Sequence, residues 1–282
     1  MIVSFLWYFM IYSFLGWVTE VVFHAVVKGR IINRGFLNGP LCPVYGAGMC
    51  AVLWINSVLK AENPLILFLV GMVFATLIEL TAGFILDRLF HARWWDYSSM
   101  PLNLHGYICA AFSILWGLAV VAAVKGIHPW IRTIVGLIPD TLSMILLGLL
   151  CICITADTAV TALTIIGLNK KLKELDSISR AMRTISDRMT DIIGNNAMKN
   201  AQDIGEARVQ VALGKAELRD DADEMLKKLE KRSEEIRLSI LAHKHSGAAR
   251  LLNAFPTMIH KEHQEIILTL KNMISGKKTN GR

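Results

Sequence analysis

The sequence predicts an all-α, polytopic membrane protein with about five transmembrane helices, followed by a cytosolic tail that is helical and forms a hairpin or coiled coil. Hydrophobic residues make up 54% of the chain and the mean hydropathy is +0.45, values above those of ordinary soluble domains. Five apolar stretches are long enough to cross a bilayer. Charge is concentrated beyond them: residues 1–169 carry 8 Lys and Arg against 7 Asp and Glu, and residues 170–282 carry 22 against 16. We therefore expect a transmembrane domain at 1–168 and a tail at 169–282.

The predicted spans follow one another through the first 168 residues. A helix needs about 20 mostly apolar residues to cross the hydrocarbon core, where its backbone groups bond only to each other. The first stretch has no cleavage site of a signal peptide, so we expect it to be retained. Segment 131–138 is apolar but too short to span, and we expect an interfacial turn or a re-entrant piece there. The predicted spans are residues 2–27, 43–59, 64–86, 106–124 and 141–168.

The basic residues of the loops predict the orientation, because cytosolic loops carry an excess of Lys and Arg. The first and third loops and the start of the tail are the more basic segments. We therefore expect a protein of the plasma membrane with its N-terminus outside and its C-terminus in the cytosol. The residues concerned are Lys28, Arg30, Arg34, Arg88, Arg93, Lys170, Lys171 and Lys173.

Three carboxylates lie inside predicted spans, namely Glu20, Glu79 and Asp157. An ionised group at the bilayer centre costs about 2.5–3.5 kcal/mol on insertion scales, so such groups usually face the bundle interior. We expect all three to face one cavity at the inner leaflet. In one interpretation they pair with loop arginines and only stabilise the bundle. In another they form a proton or cation relay, or a site for a cationic group. In a third, desolvation keeps them protonated and hydrogen-bonded.

Two similar units follow each other in this half of the chain. Arg34 follows Glu20 by 14 residues, and Arg93 follows Glu79 by the same distance. Each arginine precedes aromatic residues, a Pro-Leu pair and a glycine that opens the next helix. A parallel repeat of two-helix units is one explanation and chance is the other. Transporters are often built from repeats, with the binding site at the repeat interface.

The loops after the first and third spans have unusual compositions. The first is rich in glycine and proline, and the second in aromatic and hydrogen-bonding side chains. In one interpretation they line a cavity, where irregular backbone is tolerated at membrane depth. In the other they are interfacial loops with an aromatic belt. Besides the three acids, the candidate pathway residues are Arg34, Arg93, Asp96, Asn103 and His105.

Several motifs of this half carry a family resemblance. They are Gly16-Trp17-x-x-Glu20, Asn33-Arg34-Gly35-Phe36-Leu37-x-Gly39-Pro40-x-Cys42-Pro43-x-Tyr45-Gly46, Trp95-Asp96-Tyr97-Ser98 and Asn103 to Gly106. They resemble a family of bacterial membrane proteins named "putative type IV ABC-transporter permease", over roughly residues 1–168. The resemblance implies a small multi-pass permease-like protein of the plasma membrane, and it supplies no substrate and no residue roles. The chain has no Gly-x-x-x-x-Gly-Lys-[Ser/Thr] phosphate loop, so an ATPase would be a separate subunit.

The tail has an amphipathic, partly heptad-like pattern, which predicts two or three helices and allows a homo-oligomer through the tail. The tail has more basic than acidic residues. This excess is compatible with contact with anionic lipid head groups, and also with an ordinary solvated helix surface. The tail has no motif of a known nucleic-acid-binding module and almost no aromatic residues, so we do not expect it to bind nucleic acid. The three apolar runs are Leu172, Leu175, Ser179, Met182, Ser186, Met189 and Ile193; Leu226, Leu229, Ser233, Ile236 and Ile240; and Leu251, Leu252, Phe255, Ile259, Ile266, Ile267 and Leu270.

No cofactor, metal site or catalytic group is predicted. The five cysteines lie in or beside apolar segments, so we expect buried free thiols. His243-x-His245 and His260-x-x-His263 have no cysteine or clustered acid nearby, and we expect exposed helix histidines. An intramembrane enzyme using His105, Asp96 or Cys42 lacks a recognised nucleophile–base pair.

Two functional hypotheses follow. The leading one is a permease-like transport protein with an acid-lined intramembrane cavity and an unknown substrate. It implies the lipid bilayer and a separate ATPase subunit as partners. The alternative is a non-transporting membrane scaffold or regulator that recruits a cytosolic partner through its helical tail.

Overall fold

The computed structural model describes residues 2–60, 62–197, 205–242 and 247–275. It confirms the predicted all-α polytopic class, since helices make up most of the described chain and the strands in it are two residues long. The helices are α1 (Ile2–Lys28), α2 (Pro43–Leu59), α3 (Pro64–Phe90), α4 (Ala110–Ala122), α5 (His128–Gly136), α6 (Asp140–Ala197), α7 (Gly205–Leu241), α8 (Gly247–Ala254) and α9 (Gln264–Ser275). The strands are β1 (Ala92–Arg93), β2 (Asn103–Leu104), β3 (Ile108–Cys109) and β4 (Ile259–His260).

The fourth span is longer than the sequence predicts. Among the described residues, four helical segments are long and apolar enough to cross a bilayer, and α2 is a shorter apolar helix. The predicted end of the fourth span at residue 124 is wrong, because α4 continues through a π-helical turn, Ala123–Ile127, into α5. Residues 131–136 therefore belong to this helix and are not a separate turn or re-entrant piece. Pro129 lies shortly after the π-helical turn, where the regular α-helical hydrogen-bond pattern is already interrupted.

Glycines set the closest approaches between helices. A Cβ atom at Gly71 of α3 would lie 2.6 Å from the side chain of Val120 in α4. A Cβ atom at Gly117 of α4 would lie 2.7 Å from the ring of Phe68 in α3. Helices in lipid associate through such close van der Waals packing, because lipid tails are as apolar as leucine. As a result, α3 and α4 form a tight hairpin, as α1 and α2 do.

The outer surface of the bundle is apolar. Large hydrophobic side chains project outward from α1, α3 and α6, for example Phe23, Leu89 and Leu163, which are 63%, 64% and 67% exposed. Soluble proteins rarely expose contiguous apolar areas of this extent to water. Together with the apolar helices, this surface identifies a membrane protein.

The helix α6 extends without a break over 58 residues, from the bundle into the tail. Outside the bundle α7 returns antiparallel to it, and Arg232 of α7 lies 2.8 Å from Glu174 of α6. Leu172 and Ile236 belong to the same buried cluster. The pair forms the helical hairpin expected for the tail, while the division of domains at 168 stays a prediction.

The tail packs against one end of the bundle, called here the tail end. The strand β4 pairs antiparallel with β1, so that His260 lies opposite Ala92. One buried cluster contains Trp94 of the bundle end together with Leu251 and Met258 of the tail. The tail and the loops after α1 and α3 thus share one hydrophobic core.

The expectation of exposed helix histidines is wrong for His260 and His263. They are only 2% and 7% exposed, in β4 and just after it. Helix α8 ends at Ala254, before these histidines, because Pro256 disfavours a helical conformation in the residue before it. His243 and His245 lie outside the described residues, and the described ranges contain no group of three or more potential metal ligands. All five cysteines are free thiols, and Cys42 and Cys109 are buried as expected, whereas the expectation of a buried thiol is wrong for Cys153, which is exposed on α6.

Candidate functional site

A cavity of about 500 Å³ lies inside the bundle among α1, α2, α3 and α4. It extends from Tyr12 and Ile127, on the side away from the tail, to Trp94 and Phe255 at the tail end. Most of its lining side chains are apolar or aromatic. Its ionisable and hydroxyl-bearing lining residues include Glu20, Arg34, Tyr45, Glu79 and Tyr97.

Glu20 faces the cavity from α1 and has a cationic partner. Its Oε2 lies 3.4 Å from Nε of Arg34, and its Oε1 accepts a hydrogen bond of 2.7 Å from the hydroxyl of Tyr45. The tyrosine ring reaches this position because Gly16, one turn before Glu20, leaves room for it against α1. The charge of Glu20 is therefore largely balanced by Arg34.

Glu79 faces the same cavity from α3 and is only 7% exposed. Its oxygens accept hydrogen bonds from the hydroxyl of Tyr97 at 3.1 Å and from Nε1 of Trp116 at 2.9 Å. The ring of Trp116 also contacts Tyr45 edge to face, with centroids 5.4 Å apart. The surroundings of the two acids are thus in contact, but the donors to Glu79 are neutral.

Asp157 of α6 has a different position. In the described part of the chain, the residues that line the cavity do not include it. Its Oδ1 accepts a hydrogen bond of 3.0 Å from the backbone N–H of Asn38, and its Oδ2 accepts one of 2.7 Å from that of Gly39. This placement differs from the expectation that all three acids face one cavity. Asp157 holds the loop after α1, whereas Glu20 and Glu79 both line the cavity.

Arg93 pairs with an acid that the sequence analysis missed. Asp87, which is 1% exposed, lies 3.5 Å from Nε of Arg93 and 2.9 Å from Nζ of Lys261, and also accepts a hydrogen bond from Tyr107. The equal spacings of Glu20–Arg34 and Glu79–Arg93 therefore do not produce equivalent ion pairs. The predicted third span ends at residue 86 and so omits Asp87. An acid in the last turn of a helix opposes the helix dipole, which is a signal that a cationic partner is present.

The remaining predicted residues shape the loop after α3. Asp96 accepts a hydrogen bond of 2.7 Å from the hydroxyl of Ser98, and Asn103 donates to the backbone oxygen of Ser98 at 3.2 Å. Arg93 donates to the backbone oxygen of His105 at 2.9 Å. In the range that the structure describes, the cavity lining includes none of the four predicted residues of this loop. Their contacts are those of residues that hold the loop's shape.

Arg250 of α8 is a second residue that the sequence analysis missed. It is 4% exposed and donates to the backbone oxygens of Gly35 and Phe36 at 2.9 and 3.0 Å. Asp157 accepts from the backbone N–H groups a few residues further along the same loop. The loop is therefore held between a cation on its carbonyl groups and an anion on its amides. The available signal was a lone arginine within the apolar run of residues 248–252.

Comparisons with known proteins identify a family for the membrane part of the chain. The sequence model of a family described as "Putative ABC-transporter type IV" matches residues 7–162, a range that contains Glu20, Glu79 and Asp157. The match covers more than half of the chain and ends before the tail. No curated protein matches the chain, and no solved structure matches it either.

Proposed function

Because this chain belongs to the family described as putative ABC-transporter type IV, we propose that it is a permease-like membrane transport protein whose pathway includes the bundle cavity. The observation that carries the proposal is a cavity of about 500 Å³ in the bundle to which α1 and α3 each contribute a carboxylate. Acids inside membrane spans are costly, and they usually mark ion or substrate paths. Glu20 and Glu79 are the residues proposed to act there.

The proposal extends to orientation and partners. The basic loops after α1 and α3 lie at the tail end, which favours a cytosolic tail and an external N-terminus in the plasma membrane. The sequence has no phosphate-binding loop, so the proposed energy source is a separate ATPase subunit on the cytosolic side. The expected homo-oligomer through the tail stays a prediction.

Two-sided access to the cavity tests transport without knowledge of the substrate. Cys42 is the cysteine among the described lining residues, and it provides a native position for labelling. The variant keeps Cys42 and replaces the other four cysteines with alanine. This variant is exposed to a cationic, membrane-impermeant methanethiosulfonate reagent in right-side-out and in inside-out vesicles.

We expect Cys42 to react from both sides, because a transport cavity opens alternately to each. The matched control keeps only Cys153, which is exposed on α6 within the apolar span and should face lipid. That thiol should stay unlabelled. Reaction of Cys42 from one side alone, or from neither, would contradict the transport proposal.

One observation favours the scaffold or regulator as a second candidate function. The hairpin of α6 and α7 continues beyond the segments of these helices that pack with the bundle-end core. Removing residues 184–222 and rejoining the helices with a short loop tests this role while preserving Leu172, Leu175 and Ile236 in that core. Two-sided labelling of Cys42 in both the shortened and the full-length protein supports a transporter. One-sided labelling of both supports the scaffold.

A further inference from the structure

The two acids of the cavity differ in charge balance. Arg34 offsets the charge of Glu20. Among the described residues, no Lys, Arg or His side chain lies within ion-pairing distance of Glu79, whose donors Tyr97 and Trp116 are both neutral. An ionised carboxylate this deeply buried is costly unless a cation compensates it. The cavity therefore has one carboxylate whose charge can be balanced by a ligand.

Aromatic side chains line the cavity beside this carboxylate. Tyr45, Trp95, Tyr97 and Trp116 all line the cavity. The two donors to Glu79, Tyr97 and Trp116, bring aromatic rings next to its carboxylate oxygens. Ring faces attract cations through their quadrupole, and the attraction increases when water is excluded. Carboxylate and rings together favour a positive ligand and disfavour an anion.

The size and polarity of the cavity restrict the class of cation. A volume of about 500 Å³ lies within the roughly 300–1,000 Å³ range of small-molecule sites. Small inorganic cations such as Mg²⁺ and Ca²⁺ need about six or more oxygen ligands, whereas this lining is mainly apolar and aromatic. A larger cation with an apolar body fits both the space and the surface.

We propose that the bundle cavity binds a hydrophobic organic cation of charge +1, with Glu79 as its counterion and Trp116 and Tyr97 as aromatic contacts. The proposal rests on the proposed function in so far as this ligand is the transported compound. Binding itself requires only the geometry of the cavity. Glu20 and Arg34 stay paired when the ligand is bound, which accounts for the single positive charge.

A pair of ions with the same shape and opposite charge tests the proposal. Purified full-length protein in lipid nanodiscs is titrated with tetraphenylphosphonium and, separately, with tetraphenylborate, and empty nanodiscs give the partition into lipid. We expect saturable binding of the phosphonium cation beyond that partition and none of the borate anion. Equal binding of the two ions, or none of either, would overturn the proposal.

Variants then locate the site. Glu79→Gln should weaken tetraphenylphosphonium binding by roughly tenfold or more, since it removes the counterion. Glu62→Gln makes the same change at an exposed residue between α2 and α3 and should leave binding unchanged.

Trp116→Leu, which keeps the carboxylate and removes a ring, should also weaken binding. Unchanged affinity in folded Glu79→Gln protein would refute the assigned counterion. If that variant does not fold, the result for Trp116→Leu decides, and unchanged affinity there refutes the site.

The two proposals fail separately. Binding needs no gradient and no ATPase subunit, so intact phosphonium binding with one-sided labelling of Cys42 would overturn the transport proposal alone. Two-sided labelling of Cys42, together with equal binding of the phosphonium and borate ions, would overturn only the proposal that the cavity binds an organic cation.

Discussion

The carboxylates of Glu20, Glu79 and Asp157 accept hydrogen bonds from different sets of donors. Asp157 accepts from backbone N–H groups and from the side chains of Asn38 and Thr161. Glu20 accepts from a tyrosine hydroxyl and lies beside an arginine, whereas Glu79 accepts from a tyrosine hydroxyl and a tryptophan N–H. Backbone donors on both oxygens tie Asp157 to the conformation of a loop. Among the residues that the structure describes, no cation lies within ion-pairing distance of Glu79, which faces the cavity. The donors around each acid, more than the residue type, separate the acid that holds a loop from those that face the cavity.

His260 makes the stability of the tail depend on pH. Burial, assisted by the neighbouring His263, lowers the pKa of His260 to about 4. An unfolded histidine titrates near 6.5, so between about pH 6.5 and 4 the unfolded chain binds more protons than the folded one. The stabilising contribution is complete above about 6.5 and decreases as the pH falls, by at most about 1.4 kcal/mol per unit. We expect the melting temperature to fall over this window.

Melting curves of two variants between pH 7 and 4 measure this effect. His260→Asn keeps a side-chain acceptor for the backbone N–H groups of Glu262 and His263, and should reduce the pH dependence. The control His105→Asn changes an exposed histidine at a positive φ of 51°, which asparagine tolerates. An equal slope in the wild type and the His260→Asn protein would contradict the assignment.

The close packing of α3 against α4 depends on glycines, which have no side chain at the contact. The methyl group of Gly71→Ala would lie 2.6 Å from the side chain of Val120. To relieve this clash, α3 and α4 must move apart or their side chains must adopt strained conformations. Overpacking of this kind costs about 1–3 kcal/mol. We expect the melting temperature of the detergent-solubilised protein to fall.

Gly148→Ala is the matched control for this packing. A Cβ atom at Gly148, within α6, meets nothing within 4 Å. The same change should therefore be neutral, or stabilising by up to about 1 kcal/mol through helix propensity. A Gly71→Ala protein as stable as the Gly148→Ala protein would show that α3 and α4 are not in tight contact.

The short strands and the π-helical turn were beyond prediction at the scale of elements. Strands of two residues, such as β1 and β4, have too few positions to display a period. The π-helical turn connects two apolar segments that the sequence analysis treats separately. By contrast, α1, α2 and α3 follow the predicted spans closely, because long apolar runs are a strong local signal.

The tail and the bundle are coupled through a common core and through Arg250. Replacing Arg250 with methionine keeps much of the side-chain volume and leaves the carbonyl groups of Gly35 and Phe36 without their charged donor. A hydrogen bond to a charged group contributes about 1.5–3 kcal/mol. We expect faster hydrogen exchange in the loop 35–39 and in α8. Arg219→Met, at an exposed position of α7, should leave both segments unchanged. Equal exchange in the two variants would argue against the coupling.

Coupling of this kind bears on the proposed pathway. Phe255 of the tail lines the cavity and contacts Trp94 edge to face, with ring centroids 4.9 Å apart. A pathway that opens at the tail end must separate these rings. We therefore expect movement of the tail to change access to the cavity.

The sequence by itself determined the membrane helices, the helical tail, the family resemblance and, as candidates, Glu20 and Glu79, the two described acids that line the cavity. These properties are local or short-range, because bilayer thickness and helix periodicity act on consecutive residues. The tertiary structure decided which partner each acid has. The bonds of Glu79 to Trp116 and of Asp157 to Gly39 join residues 37 and 118 positions apart. Helix packing sets such distances, and the spacing of residues along the chain does not encode them. For the same reason the pairing of Asp87 with Lys261 and the place of Arg250 depend on how the tail packs against the bundle.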